Sequence, residues 1–217
     1  MADADPTPQE TVGDALARQV VARRGPASHL AEALRELGAV DRAVYEAVAR
    51  TPTDDLDAPV RQLSDAADNS RLWLAIAAAI ALTGGARGRR AALEGVVAIG
   101  VTSTAVNLGV KPIARRRRPD RVASAQFAAR HVPMPRSASF PSGHAASAFA
   151  FAYAVGRHLP ALALPIRFLA VGVAYSRVHT GVHYPGDVVV GSVAGAGTAA
   201  MVAAVADRVA RSRARRR

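Results

Sequence analysis

The residues of this chain that could do chemistry fall in three short stretches: Lys111 with Arg118-Pro119 seven residues on, Pro141-Ser142-Gly143-His144, and Ser176-Arg177 followed by His183 and Asp187. They bring three cations, two histidines and one carboxylate to a half of the chain that is otherwise apolar. That set suits a phosphate pocket with its own nucleophile, because a transferring phosphoryl group needs cations and N–H donors around its equatorial oxygens. Arg177 offers a planar fork for such oxygens. Ser142 can cap the apolar run that starts at Ala145. The first free N–H groups of that helix, with Gly143 letting the backbone approach, make an anion site. His144 falls in the first turn, where it can protonate a leaving oxygen. His183 and Asp187 are four apart, a spacing at which a carboxylate orients one imidazole nitrogen and makes the other the better nucleophile. Lys111 and Arg118 can reach one anion, with Pro112 and Pro119 favouring a helix end that runs into a loop.

Each residue also has a plainer reading. The basic run Arg115 to Arg118 suits a helix end held at lipid headgroups. Asp187 suits a helix cap, and His179 and Tyr184 suit packing or rim positions. Metal chemistry is disfavoured by counting: beyond residue 70 the carboxylates are Glu94, Asp120, Asp187 and Asp207, widely spaced and without a ligand pattern. No metal and no cofactor is therefore expected, and charge neutralisation falls to Lys and Arg. Pro-Ser-Gly-His also lacks the Gly-x-Ser-x-Gly elbow of serine hydrolases. Cysteine is absent, which removes disulfides, thiolate zinc sites and cysteine nucleophiles.

The elements that must position these residues are helical. The chain is 50% hydrophobic but only 5% aromatic, so its apolar surface is mostly Ala, Val and Leu, which favours helix packing over a sandwich. Apolar stretches at 72–83, 91–110, 145–156, 161–175 and 188–206 predict about five core helices, two of them near the length that crosses a bilayer. Glu94 and Arg167 inside two runs would each cost about 2.5–3.5 kcal/mol at mid-bilayer unless paired or near an end. Gly191, Gly195 and Gly197 give one run a face for close helix packing. The expected fold is all-α, an integral membrane bundle preceded by an amphipathic helical extension. The expected divisions are a disordered 1–10, the extension 11–70, the membrane domain 71–207 and a basic tail 208–217. In the extension, Leu30, Leu34, Leu37, Val40, Val44 and Val48 recur at helical spacing. That face is expected to pack on the rest of the protein, with a membrane surface as the alternative.

The net charge of +11 conceals a split: residues 1–70 hold thirteen acids and seven bases, and the remainder four and twenty-one. The arginines lie between apolar runs without interleaved aromatics, so no nucleic-acid partner is expected, and lipid or a phosphorylated substrate fits better. No basic stretch followed by an apolar one opens the chain, so targeting is expected from internal segments.

Together the three stretches resemble the tripartite signature of the type 2 phosphatidic acid phosphatase superfamily, which shares its site with vanadium haloperoxidases: Lys-x6-Arg-Pro, Pro-Ser-Gly-His and Ser-Arg-x5-His-x3-Asp, each present without substitution. The likeness covers about 72–206. It implies a metal-independent phosphatase of membrane lipid phosphates, glycerolipid or polyprenyl. His183 would form a phosphohistidine, Asp187 would orient it and His144 would protonate the leaving group. Lys111, Arg118, Ser142, Gly143 and Arg177 would hold the phosphoryl oxygens. Members usually have six spanning helices against about five here. If all five cross, the three stretches share one side, and the positive-inside rule makes that side the outer face of the plasma membrane. A vanadate-dependent haloperoxidase and a non-enzymatic scaffold for anionic lipid are the rival readings. Which lipid is bound, and the oligomeric state, stay open.

Overall fold

The computed structural model describes residues 26–216; the expected disorder at 1–10 and the first part of the extension lie outside them. Among the described residues there are helices and no strands. The chain separates into a first unit ending at Val40 and a second, Asp41–Arg217, so the last thirty residues of the expected extension belong with the bundle.

Helix α1 (Pro26–Arg50) carries the apolar stripe anticipated from its spacing, but Leu30, Leu34, Leu37 and Val40 are exposed, while Tyr45 and Ala49 near its end are buried. Helix α2 (Asp54–Ala66) starts with three acids in its first turn, where carboxylates favour the helix dipole. A 3₁₀ turn, Asp68–Ser70, leads into α3 (Arg71–Thr83). Helix α4 (Gly85–Ala114) is wound as a π turn at Ala105–Val110. That wider turn lets Pro112 sit inside the helix, where its ring would otherwise meet the carbonyl four residues back. Arg115, at φ 45°, ends it. After an extended stretch and a 3₁₀ segment, Arg121–Arg130, come α5 (Gly143–His158), α6 (Pro160–His179) and α7 (Pro185–Ala214). Helix α7 continues through Arg208, Arg211 and Arg213, so these residues occupy its last turns.

Helices α3 to α7 are the five-helix bundle. Helix α5 lies at its centre, packed against α4, α6 and α7, while α2 packs on α6. Alanine and glycine make these approaches close. A side chain at Gly195 would collide with the Ala146 backbone and one at Gly191 with that of Ser142, whereas Gly197 faces open space. Trp73 and Phe151 pack 5.4 Å apart in the core beside Val155 and Val173. Glu94 is paired, as its position inside an apolar run requires: Arg157 donates to it at 2.8 Å and His158 lies 2.9 Å away.

By length and composition α4, α6 and α7 can each cross a membrane. The end of α4, the start of α5, the end of α6 and the start of α7 meet at one end of the bundle, which is where the three stretches lie. Arg87, Arg89 and Arg90 at the start of α4, and the arginines closing α7, stand at the other end.

Candidate active site

Lys111 is on the last turn of α4, and Arg118 follows in the loop. The two share the Ser137 hydroxyl, at 3.2 and 3.3 Å. Arg118 also donates through Nη1 to the Val182 carbonyl at 2.7 Å, and the same nitrogen stands 3.2 Å from His183 Nε2. A guanidinium can only donate, so His183 Nε2 is the acceptor and its proton is on Nδ1. Burial above all pushes the His183 imidazole down to about 4; Asp187 opposes the shift, and Arg118 and Arg177 add to it. The ring is therefore neutral at physiological pH, with its Nε2 lone pair turned toward a cation.

Asp187, fully buried in the first turn of α7, serves as both cap and partner. Oδ2 accepts from the Tyr184 N–H at 3.0 Å and lies 3.5 Å from His183 Nδ1, a longer separation than a tight hydrogen bond. Oδ1 accepts from Arg116 Nη1 at 2.8 Å. Arg116 reaches Asp41 through Nη2 at 2.6 Å and lies over the Tyr184 ring at 4.3 Å. One arginine of the basic run thus braces the carboxylate beside His183. Arg118 differs: burial lowers its pKa in spite of Asp187.

Ser142 caps α5 by accepting from the Ala145 N–H at 3.4 Å, and its own N–H donates to the Asp187 carbonyl at 2.9 Å. A Cβ on Gly143 would stand 3.8 Å from Lys111 Nζ, so the helix start and the lysine border one space. Arg177 is buried and donates through Nη1 to Ser64 Oγ at 2.6 Å. Its Nε, also buried, meets no acceptor among the described residues, an arrangement that suits an incoming anion. Arg177 acts electrostatically on both His144 and His183, so the two rings share one neighbourhood. A cavity of about 320 Å³ opens beside Lys111, Gly143 and His144.

Sequence reasoning named eight residues, and all eight border this end of the bundle. It read Arg116 only as part of a headgroup-binding run and gave no role to Ser137, Ser64 or Asp68, the last of which lies 2.7 Å from His144 Nε2. Arg116 was hidden in a run of four arginines and the others have no motif. His179 is buried against Asp57 at 3.0 Å, and Tyr184 stacks under Arg116, so the packing expectation describes the first better than the second. No group of three or more His, Cys, Asp or Glu is gathered as a metal site among the described residues.

Helices that converge their ends on cations and two histidines in an apolar bundle make an arrangement suited to phosphoryl transfer in a membrane. The PAP2 superfamily model matches residues 91–211, and the chain belongs to that superfamily. The decaprenylphosphoryl-5-phosphoribose phosphatase of Mycobacterium tuberculosis (strain H37Rv) is 38% identical over 160 residues, covering 74% of this chain and 85% of the relative. That of Mycolicibacterium smegmatis is 37% identical over 166 residues, covering 75% and 84%. Among solved structures, a transmembrane PAP2-type phosphatidylglycerolphosphate phosphatase from Bacillus subtilis is similar with a TM-score of 0.61 at 25% identity, over 80% of this chain and 88% of that one. Aquifex aeolicus LpxE shares the fold, with a TM-score of 0.59 at 20% identity over 74% and 92%. The chain is an integral membrane lipid phosphatase.

Proposed function

We propose that this protein removes a terminal phosphate from a polyprenylphosphoryl sugar phosphate by way of a phosphohistidine, without a metal. The reading rests on one geometric observation: the lone pair of His183 Nε2 faces Arg118 Nη1 at 3.2 Å, within a group of cations that also holds Lys111 and Arg177. A phosphoryl group seated among them presents phosphorus to Nε2. The P–N bond forms as the P–O bond to the sugar breaks, and His144 gives its proton to the departing oxygen. Asp187 stabilises the charge that develops on His183. Water then attacks the phosphohistidine while His144 accepts a proton, and the P–N bond breaks to release phosphate. Lys111, Arg118 and Arg177, with the Ser142 hydroxyl and the Gly143 N–H, neutralise the equatorial oxygens, the part a metal plays elsewhere.

The leaving group is expected to be a polyol. The cavity next to His144 is lined by Asn69, Ser70, Ser103, Asn107 and Ser147, amide and hydroxyl groups that suit a sugar better than an acyl chain. The relatives named for decaprenylphosphoryl-5-phosphoribose support the same class. The positive-inside count favours an outward-facing site at the plasma membrane.

The test is phosphate release by purified protein in detergent with EDTA, from a polyprenylphosphoryl pentose 5-phosphate, phosphatidate, phosphatidylglycerophosphate and undecaprenyl pyrophosphate. The sugar phosphate should turn over fastest, with an acid-labile phosphoprotein that His183→Ala abolishes. Release that requires a divalent metal, or labelling that survives His183→Ala, would refute the mechanism.

A further inference from the structure

Asp68 lies outside the 91–211 segment matched by the superfamily model, in the turn between α2 and α3. Its Oδ1 is 2.7 Å from His144 Nε2 and 3.6 Å from Arg177 Nη1. The turn that presents it holds two consecutive non-glycine residues in the left-handed region, Asn69 at φ 52° and Ser70 at φ 59°. Such conformations are unfavourable for residues with a side chain and are kept where the surroundings demand them. Four residues earlier, Ser64 accepts the 2.6 Å bond from Arg177. The same short segment therefore grips the end of α6 and the start of α5.

We propose that Asp68 is a positioning residue for the proton donor: it takes the Nε2–H of His144 and leaves Nδ1 as the nitrogen that exchanges a proton with the leaving oxygen and then with water. The inference rests on the phosphatase reading above. In the first half-reaction the Nδ1–H bond of the imidazolium breaks and an O–H bond forms on the sugar. His144 is left neutral, still bonded to Asp68 through Nε2. In the second, Nδ1 takes a proton from the attacking water. This repeats, on the acid side, the pairing of Asp187 with His183 on the nucleophile side. A carboxylate is needed because Arg177 from α6 and Lys111 from α4 both face the ring and disfavour the imidazolium, as does burial. Asp68 works against all three, and its own pKa is lowered chiefly by the His144 bond. Asp68 is also set apart from the nucleophile, since Asp187, not Asp68, is the carboxylate acting on Arg118 and His183.

The experiment compares Asp68→Asn with wild type on two phosphate monoesters of one lipid tail, one with an alkyl and one with a nitrophenyl leaving group. A phenolate of that kind departs without a proton. The alkyl ester should lose about 10- to 100-fold more in kcat/KM than the nitrophenyl ester, because kcat/KM excludes the hydrolysis of the phosphohistidine that both share, and any loss of binding through Arg177 should be common to both. The fall of kcat/KM with rising pH on the alkyl ester should begin at lower pH in the variant, because the ring loses its proton more easily. Asp68→Glu, which keeps the charge, should recover part of the rate. Equal losses on both esters with an unmoved pH profile would mean a structural role and overturn the proposal. Unchanged or faster turnover would overturn it too, the latter because Asp68 would then be blocking the phosphate seat. A wild type inactive on every lipid phosphate would instead sink the phosphatase reading.

Discussion

Asp57→Asn removes one charge from a buried network and leaves the volume nearly unchanged. The Asp57 carboxylate accepts from Arg130 Nε at 3.1 Å and from Thr53 Oγ at 2.7 Å, and lies 3.0 Å from His179 Nε2. The Arg130 side chain is fully buried. At that separation and an effective dielectric of about 20, the ion pair is worth about 5 kcal/mol. In the variant Arg130 keeps its bonds to the Val48 and Thr51 carbonyls, at 3.3 and 2.9 Å, which offset part of the loss. The expected destabilisation is about 3–5 kcal/mol, the range for breaking a buried pair from one side. Trp73, the single tryptophan, is buried against Phe151, so its fluorescence during denaturation in detergent reports the unfolding. Replacing both partners, Asp57→Leu with Arg130→Met, should cost less than the single change, because no buried charge is left behind. A loss below about 1 kcal/mol for Asp57→Asn, or a double variant worse than the single, would refute the argument. The pH dependence has a sign as well. Burial is the largest influence and raises the Asp57 pKa, but the Thr53 and Arg130 bonds overcome it and hold the carboxyl below its ordinary value. Its contribution is thus complete above the unfolded pKa of about 3.9 and is lost as pH falls through the lower, folded one.

Because burial holds His183 at about 4, protonation of this proposed nucleophile should not limit turnover between neutrality and about pH 5. The acid limb of kcat/KM should fall near pH 4, and a limb near the ordinary histidine value of about 6.5 would contradict the neutral, buried ring. Gly195→Ala should destabilise the bundle by more than about 1 kcal/mol, since its Cβ has no room against the Ala146 backbone, while Gly197→Ala, facing open space, should be neutral or slightly stabilising. Thermal unfolding in detergent of the two variants side by side decides this, and equal effects would contradict the packing.

The residues that gather at the candidate site were legible because each stretch is local: cap, glycine and histidine follow one another at Ser142, Gly143 and His144, and His183 and Asp187 are four residues apart. The five core helices were legible from the lengths of the apolar runs. What covers the apolar face of α1 was not, since amphipathic spacing says that a face is apolar and not what lies against it. Pro112 suggested a helix break from its ring chemistry alone, and the π turn before it accommodates the ring.

By itself the sequence determined that this chain makes helices, that several suit a bilayer, and that it carries the three stretches of the PAP2 superfamily, because side-chain type and spacing along one element are local properties. Only the tertiary structure decided that Arg116 and not a neighbouring arginine braces Asp187, that Ser64 holds Arg177, and that Asp68 meets His144 across 76 residues. Such contacts depend on where helix ends meet after the apolar faces have packed, and no periodicity in the chain encodes which charged side chain a given end will find opposite it.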